Sequence, residues 1–421
     1  MIKVKSGSRL RGRIALPASK SISNRALILN ALSQSAQLPD NLSDCDDTRV
    51  MIRALQDMPE VIDIGAAGTA MRFLTAYLSV VPGEHTITGT ERMKHRPIGI
   101  LVDALRQLGA TITYKGEEGF PPLHIVGHKG LDGGALTVPG DVSSQYVSAL
   151  LMIAPTLKKG LRLTLKGDIA SRPYLNMTIS MMRDFGAKVE WTGDNVIDVQ
   201  PGSYLQRPYH IESDWSAASY WYEMTALTDD ADAEVELVGL HRESLQGDSK
   251  VWKLFEELGV QTRYIADAEG KEVVRLRKGG SITRHFSYDF THQPDLAQTF
   301  AVTCSMLGVP FRLYGLQSLR IKETDRIAAL QNELGKIVRL EEKGDELLWE
   351  GLHDIESLDM PACKTCEFDT YDDHRMAMAL APVCLRTAGE IQINNPEVVS
   401  KSYPSFWDDL SKAGFIICGE Q

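Results

Sequence analysis

Cysteine is scarce in this chain. Six occur in 421 residues, at positions 45, 304, 363, 366, 384 and 418, too few and too scattered for a disulfide framework at this length. Reduced thiols are therefore expected. Cys363-Lys364-Thr365-Cys366 has the spacing of half a zinc site, but no second Cys-x-x-Cys or His pair stands where it could complete a tetrahedron. No metal is expected. Long apolar runs are also missing: nothing approaches the roughly 20 residues of a membrane span. Met1-Ile2-Lys3-Val4-Lys5 lacks the apolar core and cleavage site of a signal peptide, which points to the cytoplasm. Nor is positive charge in excess, since 45 Lys and Arg against 56 Asp and Glu leave a net charge of −11. Nucleic acid and anionic membranes are usually met by a broad basic surface, so neither is expected as a partner. A small anionic substrate stays open if cations converge locally.

What is present is an ordinary globular composition, 43% hydrophobic and 24% charged, in a chain longer than one core usually serves. Two domains are the first expectation. The chain also repeats itself. A helix rich in small residues opens each copy, as in Ser21-Ile22-Ser23-Asn24-Arg25-Ala26-Leu27 and Gly68-Thr69-Ala70-Met71-Arg72-Phe73-Leu74, with related openings at Ser143, Asp214, Asp295 and Asp373. A short strand follows, then a second helix with a glycine stop, at Gly109, Gly186 and Gly259. Alternating strands come next, such as Lys188–Trp191 and Val196–Val199 around the turn Gly193-Asp194-Asn195. Each copy reads βαβαββ over roughly 50 to 80 residues, too small to bury its own helices, so three copies would make a domain and six would make two. Only Pro59–Ile64 stands where the first copy should carry its closing hairpin.

Polar residues gather where these helices begin. Ser19-Lys20-Ser21 precedes Arg25 by about one turn, and a helix start offers unpaired N–H groups and positive dipole to an anion. Gly65-Ala66-Ala67-Gly68 is a glycine-bracketed turn into a helix, without the Lys-Ser/Thr of a P-loop. Glu91–Arg96 is a basic loop ahead of Pro97, which is expected to begin a helix. Ser143-Ser144-Gln145 and Ser171-Arg172-Pro173-Tyr174 add hydroxyls, an amide and a phenol suited to phosphate oxygens and a polyhydroxylated ring. Lys322 and Arg326 are four apart and are expected to share a helix face beside Glu323. Asp373-His374-Arg375 opens a further helix, and Lys401 follows Ser400 in the last copy. A capped helix or a solvated, salt-bridged surface accounts for any one of these. It accounts less well for their recurrence at one place in the repeat.

In these strings, together with Arg96-Pro97-Ile98-Gly99, Pro294-Asp295 and Lys322-Glu323-Thr324-Asp325-Arg326, the chain resembles the 5-enolpyruvylshikimate-3-phosphate synthase family, in order from about Ser6 to Phe415. The resemblance implies an α/β, two-domain fold of six βαβαββ repeats, three per domain, with the active site in the interdomain cleft and closure on substrate. The first domain would be residues 1–18 with 213–421 and the second 19–212. Shikimate 3-phosphate would be held by Lys20, Ser21, Arg25, Ser143, Ser144, Gln145, Ser171, Tyr174, Asp295 and Lys322. Phosphoenolpyruvate would be held by Lys20, Gly68, Arg96, Gln145, Arg326, His374, Arg375 and Lys401. Asp295 would serve as base at the 5-hydroxyl and Glu323 as acid at the methylene carbon, with Lys20 also catalytic. The family often has Asn where Ala66 stands, Pro where Phe73 stands and Asn where Ser318 stands. The first two departures are expected to reshape the phosphoenolpyruvate side, and Ser318 is left out of the site.

The implied reaction is addition followed by elimination. The 5-hydroxyl attacks C2 of the enol phosphate while C3 is protonated, and phosphate then leaves the tetrahedral adduct, with one carboxyl accepting a proton and another donating one. No metal or organic cofactor is expected, and the protein is expected to be a monomer. Two alternatives stand beside this reading. One is the transfer of enolpyruvyl to UDP-N-acetylglucosamine, against which stands the lack of a cysteine between Gly89 and Arg96. The other is a non-catalytic protein that kept the fold.

Overall fold

The computed structural model describes residues 1–351, 365–387 and 390–419. Cys363 and Lys364 of the Cys-x-x-Cys sequence lie outside the described residues. Cys45, Cys304, Cys366, Cys384 and Cys418 are free thiols, and of these only Cys418 is exposed.

Among the described residues, five four-stranded sheets share one plan. Two strands run parallel, and the second of them meets an antiparallel pair. In one sheet Val61–Asp63 pairs parallel with Gly83–Thr88, which pairs antiparallel with Leu123–Gly127, which closes on Thr111–Tyr114. A parallel pair needs a crossover, here supplied by the helix Gly68–Val80; the helix Gly99–Gln107 then leads into the hairpin. The same order recurs in the sheet of Gly134–Pro139, Leu161–Lys166, Val196–Val199 and Val189–Trp191. It recurs again in the sheet of Phe286–Asp289, Phe311–Tyr314, Glu346–Trp349 and Glu341–Lys343.

By compactness the chain divides into Met1–Pro17 with Glu212–Gln421, and Ala18–Ile211. In the first unit Arg11–Ala15 pairs parallel with Glu234–Val238, so the whole of the second unit is inserted between two neighbouring strands. The last sheet of the first unit borrows the N-terminal strand: Ile2–Lys5 sits between Glu390–Ile393 and Ile416–Gly419. In the second unit one copy is reduced. It keeps the helices Lys20–Leu32 and Asp46–Asp57, shrinks its parallel pair to a single bridge between Asp40 and His210, and runs directly into Val61–Asp63 of the next copy.

The small-residue helices lie at the centre of each unit. Gly68–Val80 and Trp215–Leu227 are buried along their whole length, as a helix without a charged face must be. Each unit has its own apolar core, around Trp215, Trp221, Phe255 and Phe300 in the first and around Met71, Phe73, Leu150 and Phe185 in the second. No described helix is long and apolar enough to cross a membrane.

Three local expectations need correction. Gly109 and Gly186 do end helices, at φ 101° and 87°, with the next residue's N–H bonded back to Leu105 and Met182. Gly259 does not: it lies inside the strand Leu258–Ala266, at a register shift between Leu258 and Val260, where its φ of 81° accommodates a bulge. Pro97 does not begin a helix either. Glu91–Lys94 is itself a short helix capped by the Thr90 hydroxyl, and the next one starts at Gly99. Finally, Lys322 and Arg326 share no helix face. Asp325 accepts from the N–H groups of Ile327 and Ala328, which fixes the helix start at Arg326 and leaves Lys322 extended.

Candidate functional site

In the second unit the central helix starts carry a set of anion-seeking groups. Ser19 caps Lys20–Leu32, Lys20 occupies its first turn, and the Lys20 ammonium lies 3.7 Å from Asp47 at the start of the neighbouring helix. Arg25, one turn further on, is only 2% exposed. Its Nε donates to Thr178 Oγ1 at 2.7 Å, Nη1 to the Ser21 carbonyl at 3.0 Å and Nη2 to Ser148 Oγ at 3.2 Å. The guanidinium lies over two rings, Phe73 at 5.3 Å and Tyr174 at 5.8 Å. Burial lowers its pKa to about 10, which leaves it cationic at neutral pH. Three of its five N–H groups are thus spent on fixing its plane, and one on each terminal nitrogen stays available for a ligand oxygen.

Ser171 and Tyr174 belong to the same group of residues. Ser171 sits in the left-handed region at φ 53°, immediately before the helix Arg172–Asp184, and its carbonyl accepts from Tyr174 N–H. Ser143 caps the helix Ser144–Ile153 by accepting from Gln145 N–H, while the Gln145 amide donates to Thr69 Oγ1 at 3.1 Å. That bond ties the serine pair to the Gly68 turn. At Gly68 the approach is tight: a Cβ there would lie 2.8 Å from Arg96 Nη1 and 2.9 Å from Arg72 Nη1. Arg72 donates to the Gly68 carbonyl and to the Pro97 carbonyl, so it holds the loop that carries Arg96.

The first unit holds a buried cluster of carboxylates and cations. Arg326, 1% exposed, contacts three carboxylates at once: Asp373 at 2.7 Å, Glu323 at 2.9 Å and Asp295 at 3.1 Å. Arg375 bonds the other oxygen of Asp295 at 2.9 Å, and Lys322 lies 3.7 Å from the first. Burial alone would raise the Asp295 carboxyl, but the charges of Arg375, Lys322 and Arg326 outweigh it and hold it well below the usual carboxylate range. Burial pushes the Lys322 ammonium down against the pull of Asp295. Asp248, fully buried nearby on another segment, is pushed up to about 7 by burial and by the charge of Asp295. His374 Nδ1 is 3.9 Å from Asp373, and the Lys401 ammonium bonds the Asp372 carbonyl at 2.6 Å.

Within this unit the structure therefore gathers Asp295, Lys322, Glu323, Arg326, His374 and Arg375, with Lys401 on the adjoining turn. Within the other it gathers Ser21, Arg25, Ser171 and Tyr174, links Gln145 to Thr69 beside Gly68 and Arg96, and places Lys20 against Asp47. Sequence reasoning left Asp47, Arg72, Ser148, Thr178 and Asp373 out of the site. Two of these had a readable signal: Asp373 stands at an N-cap position, and Thr178 is one turn after Tyr174 on the same helix.

The sequence profile of the EPSP synthase (3-phosphoshikimate 1-carboxyvinyltransferase) family matches residues 4–63 and 56–410. A 3-phosphoshikimate 1-carboxyvinyltransferase of Bacteroides fragilis is 57% identical over 417 residues, 98% of each chain. One of Shewanella halifaxensis is 35% identical over 432 aligned positions, covering 96% of this chain and 97% of its own. Among solved structures, EPSP synthase from Acinetobacter baumannii superposes over the whole of both chains with a TM-score of 0.75 at 22% identity. The enolpyruvyl transferase NikO from Streptomyces tendae does so over 99% of this chain and 98% of its own, with a TM-score of 0.72 at 16% identity.

Proposed function

The chain belongs to the EPSP synthase family, and we propose from that premise that it moves the enolpyruvyl group of phosphoenolpyruvate onto the 5-hydroxyl of shikimate 3-phosphate, with release of phosphate. This is a step of the shikimate pathway to the aromatic amino acids. The reading includes a monomer acting in the cytoplasm on two small anions.

The observation that carries the chemistry is the Arg326 guanidinium in contact with Asp295, Glu323 and Asp373 together. Asp295 takes the proton of the attacking hydroxyl. A carboxylate held so far down by cations is a weak base, and the substrates themselves relieve this. When the carboxylate and phosphate of phosphoenolpyruvate engage Arg326, Arg375 and Lys401, part of the positive field on Asp295 is cancelled and its basicity rises. Glu323, joined to Asp295 through Arg326, donates to C3 of the enol. Protonation there makes C2 electrophilic as the hydroxyl oxygen bonds to it. In the second step Glu323, then a carboxylate, takes a proton back from C3, the double bond re-forms, and the C2–O bond to phosphate breaks, the departing anion being stabilised by the cations that hold phosphoenolpyruvate.

The second unit supplies the acceptor's place. Arg25 presents one N–H from each terminal nitrogen, a spacing suited to two oxygens of a phosphate. Ser143, Ser144, Gln145, Ser171 and Tyr174 provide hydroxyl, amide and phenol partners for the rest of shikimate 3-phosphate. Gly68, Lys20 and Arg96 serve phosphoenolpyruvate.

The test is phosphate release from phosphoenolpyruvate with each acceptor in turn. Release that requires shikimate 3-phosphate supports the reading. Release with UDP-N-acetylglucosamine instead, or with neither acceptor, contradicts it.

A further inference from the structure

The turn that delivers Asp373, His374 and Arg375 has an unfavourable backbone. Thr370 C=O accepts from Asp373 N–H at 2.8 Å, closing a four-residue turn whose two central residues, Tyr371 and Asp372, both have φ of 54°. Positive φ at both central positions defines a type I′ turn, which favours Gly, Asn and Asp. A tyrosine there is held against its own preference and needs an outside anchor.

The anchor is Glu333, 1% exposed, at the far end of the helix that Arg326 begins. Its Oε1 accepts from the Tyr371 hydroxyl at 2.7 Å, and its Oε2 accepts from Asp369 N–H at 3.0 Å and from Lys336 at 2.6 Å. The helix Arg326–Leu334 is thereby fastened to the turn at both ends, through Arg326 to Asp373 and through Glu333 to Tyr371. We propose that Glu333 and Tyr371 are positioning residues for phosphoenolpyruvate: their hydrogen bond holds the left-handed turn, and so sets Arg375, Asp373 and the Asp372 carbonyl that Lys401 grips. The inference rests on the enolpyruvyl-transfer reading and deepens it, because neither residue belongs to the substrate-contacting set.

Tyr371→Phe removes the one hydroxyl and keeps the ring. In steady-state phosphate release its KM for phosphoenolpyruvate rises about tenfold or more, as expected for cationic groups displaced by a fraction of an ångström. Binding of shikimate 3-phosphate alone, measured by calorimetry, changes less than twofold. Glu333→Ala, which also takes the acceptor from Asp369 N–H and Lys336, raises the KM at least as far, and the double variant is no worse than Glu333→Ala, because the bond that Tyr371→Phe removes is already lost. A purely stabilising bond would lower the melting temperature and leave the KM of the folded fraction unchanged. An unchanged KM in Tyr371→Phe, which should fold in any case, overturns the proposal, as do additive effects in the double variant. Wild-type protein in the same assay separates the two claims: if it releases no phosphate, the functional reading fails and the inference falls with it. If it is active and the variants match it, only the inference fails.

Discussion

Replacing Gly68 by alanine adds one methyl group whose neighbours are already in place. The new Cβ would lie 2.8 and 3.0 Å from the two terminal nitrogens of Arg96 and 2.9 Å from Arg72 Nη1. Ordinary contact lies near 3.5 Å, so the guanidinium groups must retreat by roughly half an ångström. All three atoms are the ends of flexible side chains, and the helix Gly68–Val80 is free to keep its backbone. On the proposed function, in which Arg96 holds phosphoenolpyruvate, the cost therefore falls on that ligand. A hydrogen bond to a charged group is worth about 1.5–3 kcal/mol, and each 1.4 kcal/mol is a factor of ten. Spoiling one such contact raises the KM for phosphoenolpyruvate by roughly 10- to 100-fold. The assay is phosphate release at saturating shikimate 3-phosphate, with calorimetry for shikimate 3-phosphate alone and a thermal melt. The reasoning fails if the KM stays within twofold of wild type, or if the variant melts far below it, which would mean that the methyl group strains the helix instead.

Asp295→Asn and Glu323→Gln each lower turnover by about 10²–10⁴-fold, the usual loss of one general acid or base, with shikimate 3-phosphate binding largely kept; single-turnover rates check this. Arg25→Lys replaces a fork fastened by Thr178, Ser21 and Ser148 with a single ammonium, and the dissociation constant of shikimate 3-phosphate rises about tenfold or more by calorimetry. Asp248 titrates near 7 in the fold, against about 3.9 unfolded. A raised carboxyl contributes nothing adverse below its unfolded value and costs stability as pH rises towards its folded value. Denaturant melts of Asp248→Asn and wild type should thus diverge in favour of the variant by about 1.4 kcal/mol per pH unit between roughly pH 4 and 7, and run parallel above. A constant difference across that window would contradict the assignment.

The repeats were legible because each central helix must shed charged residues to sit inside its unit, and that leaves a composition visible along the chain. The missing hairpin of the first copy was legible as a gap, since six residues from Pro59 to Ile64 cannot form two strands and a turn. Boundaries were harder. The helix at Arg326 begins where it does because the Asp325 carboxylate takes two N–H groups, and an alternative start near Lys322 differs only by which side chain wins the cap. Gly259 reads as a helix stop because positive φ serves a bulge and a C-terminus equally well. The partners of the site residues were the least accessible. Arg25 meets Thr178 across 153 residues and Arg326 meets Asp373 across 47, and no local pattern encodes such a pairing. Phe73 shows the same limit. The ring is fully buried in the core of its unit, yet it packs beneath Arg25, so its neighbourhood includes that guanidinium as well as the Gly68 turn.

The measurement closest to the central claim is mass spectrometry of the product formed from phosphoenolpyruvate and shikimate 3-phosphate in deuterated water. Addition with protonation at C3, followed by loss of a proton from the resulting methyl group, predicts an enolpyruvyl ether at the 5-hydroxyl, one inorganic phosphate per ether, and deuterium in the product's methylene group. No ether, or an ether whose methylene carries no deuterium, would contradict the account.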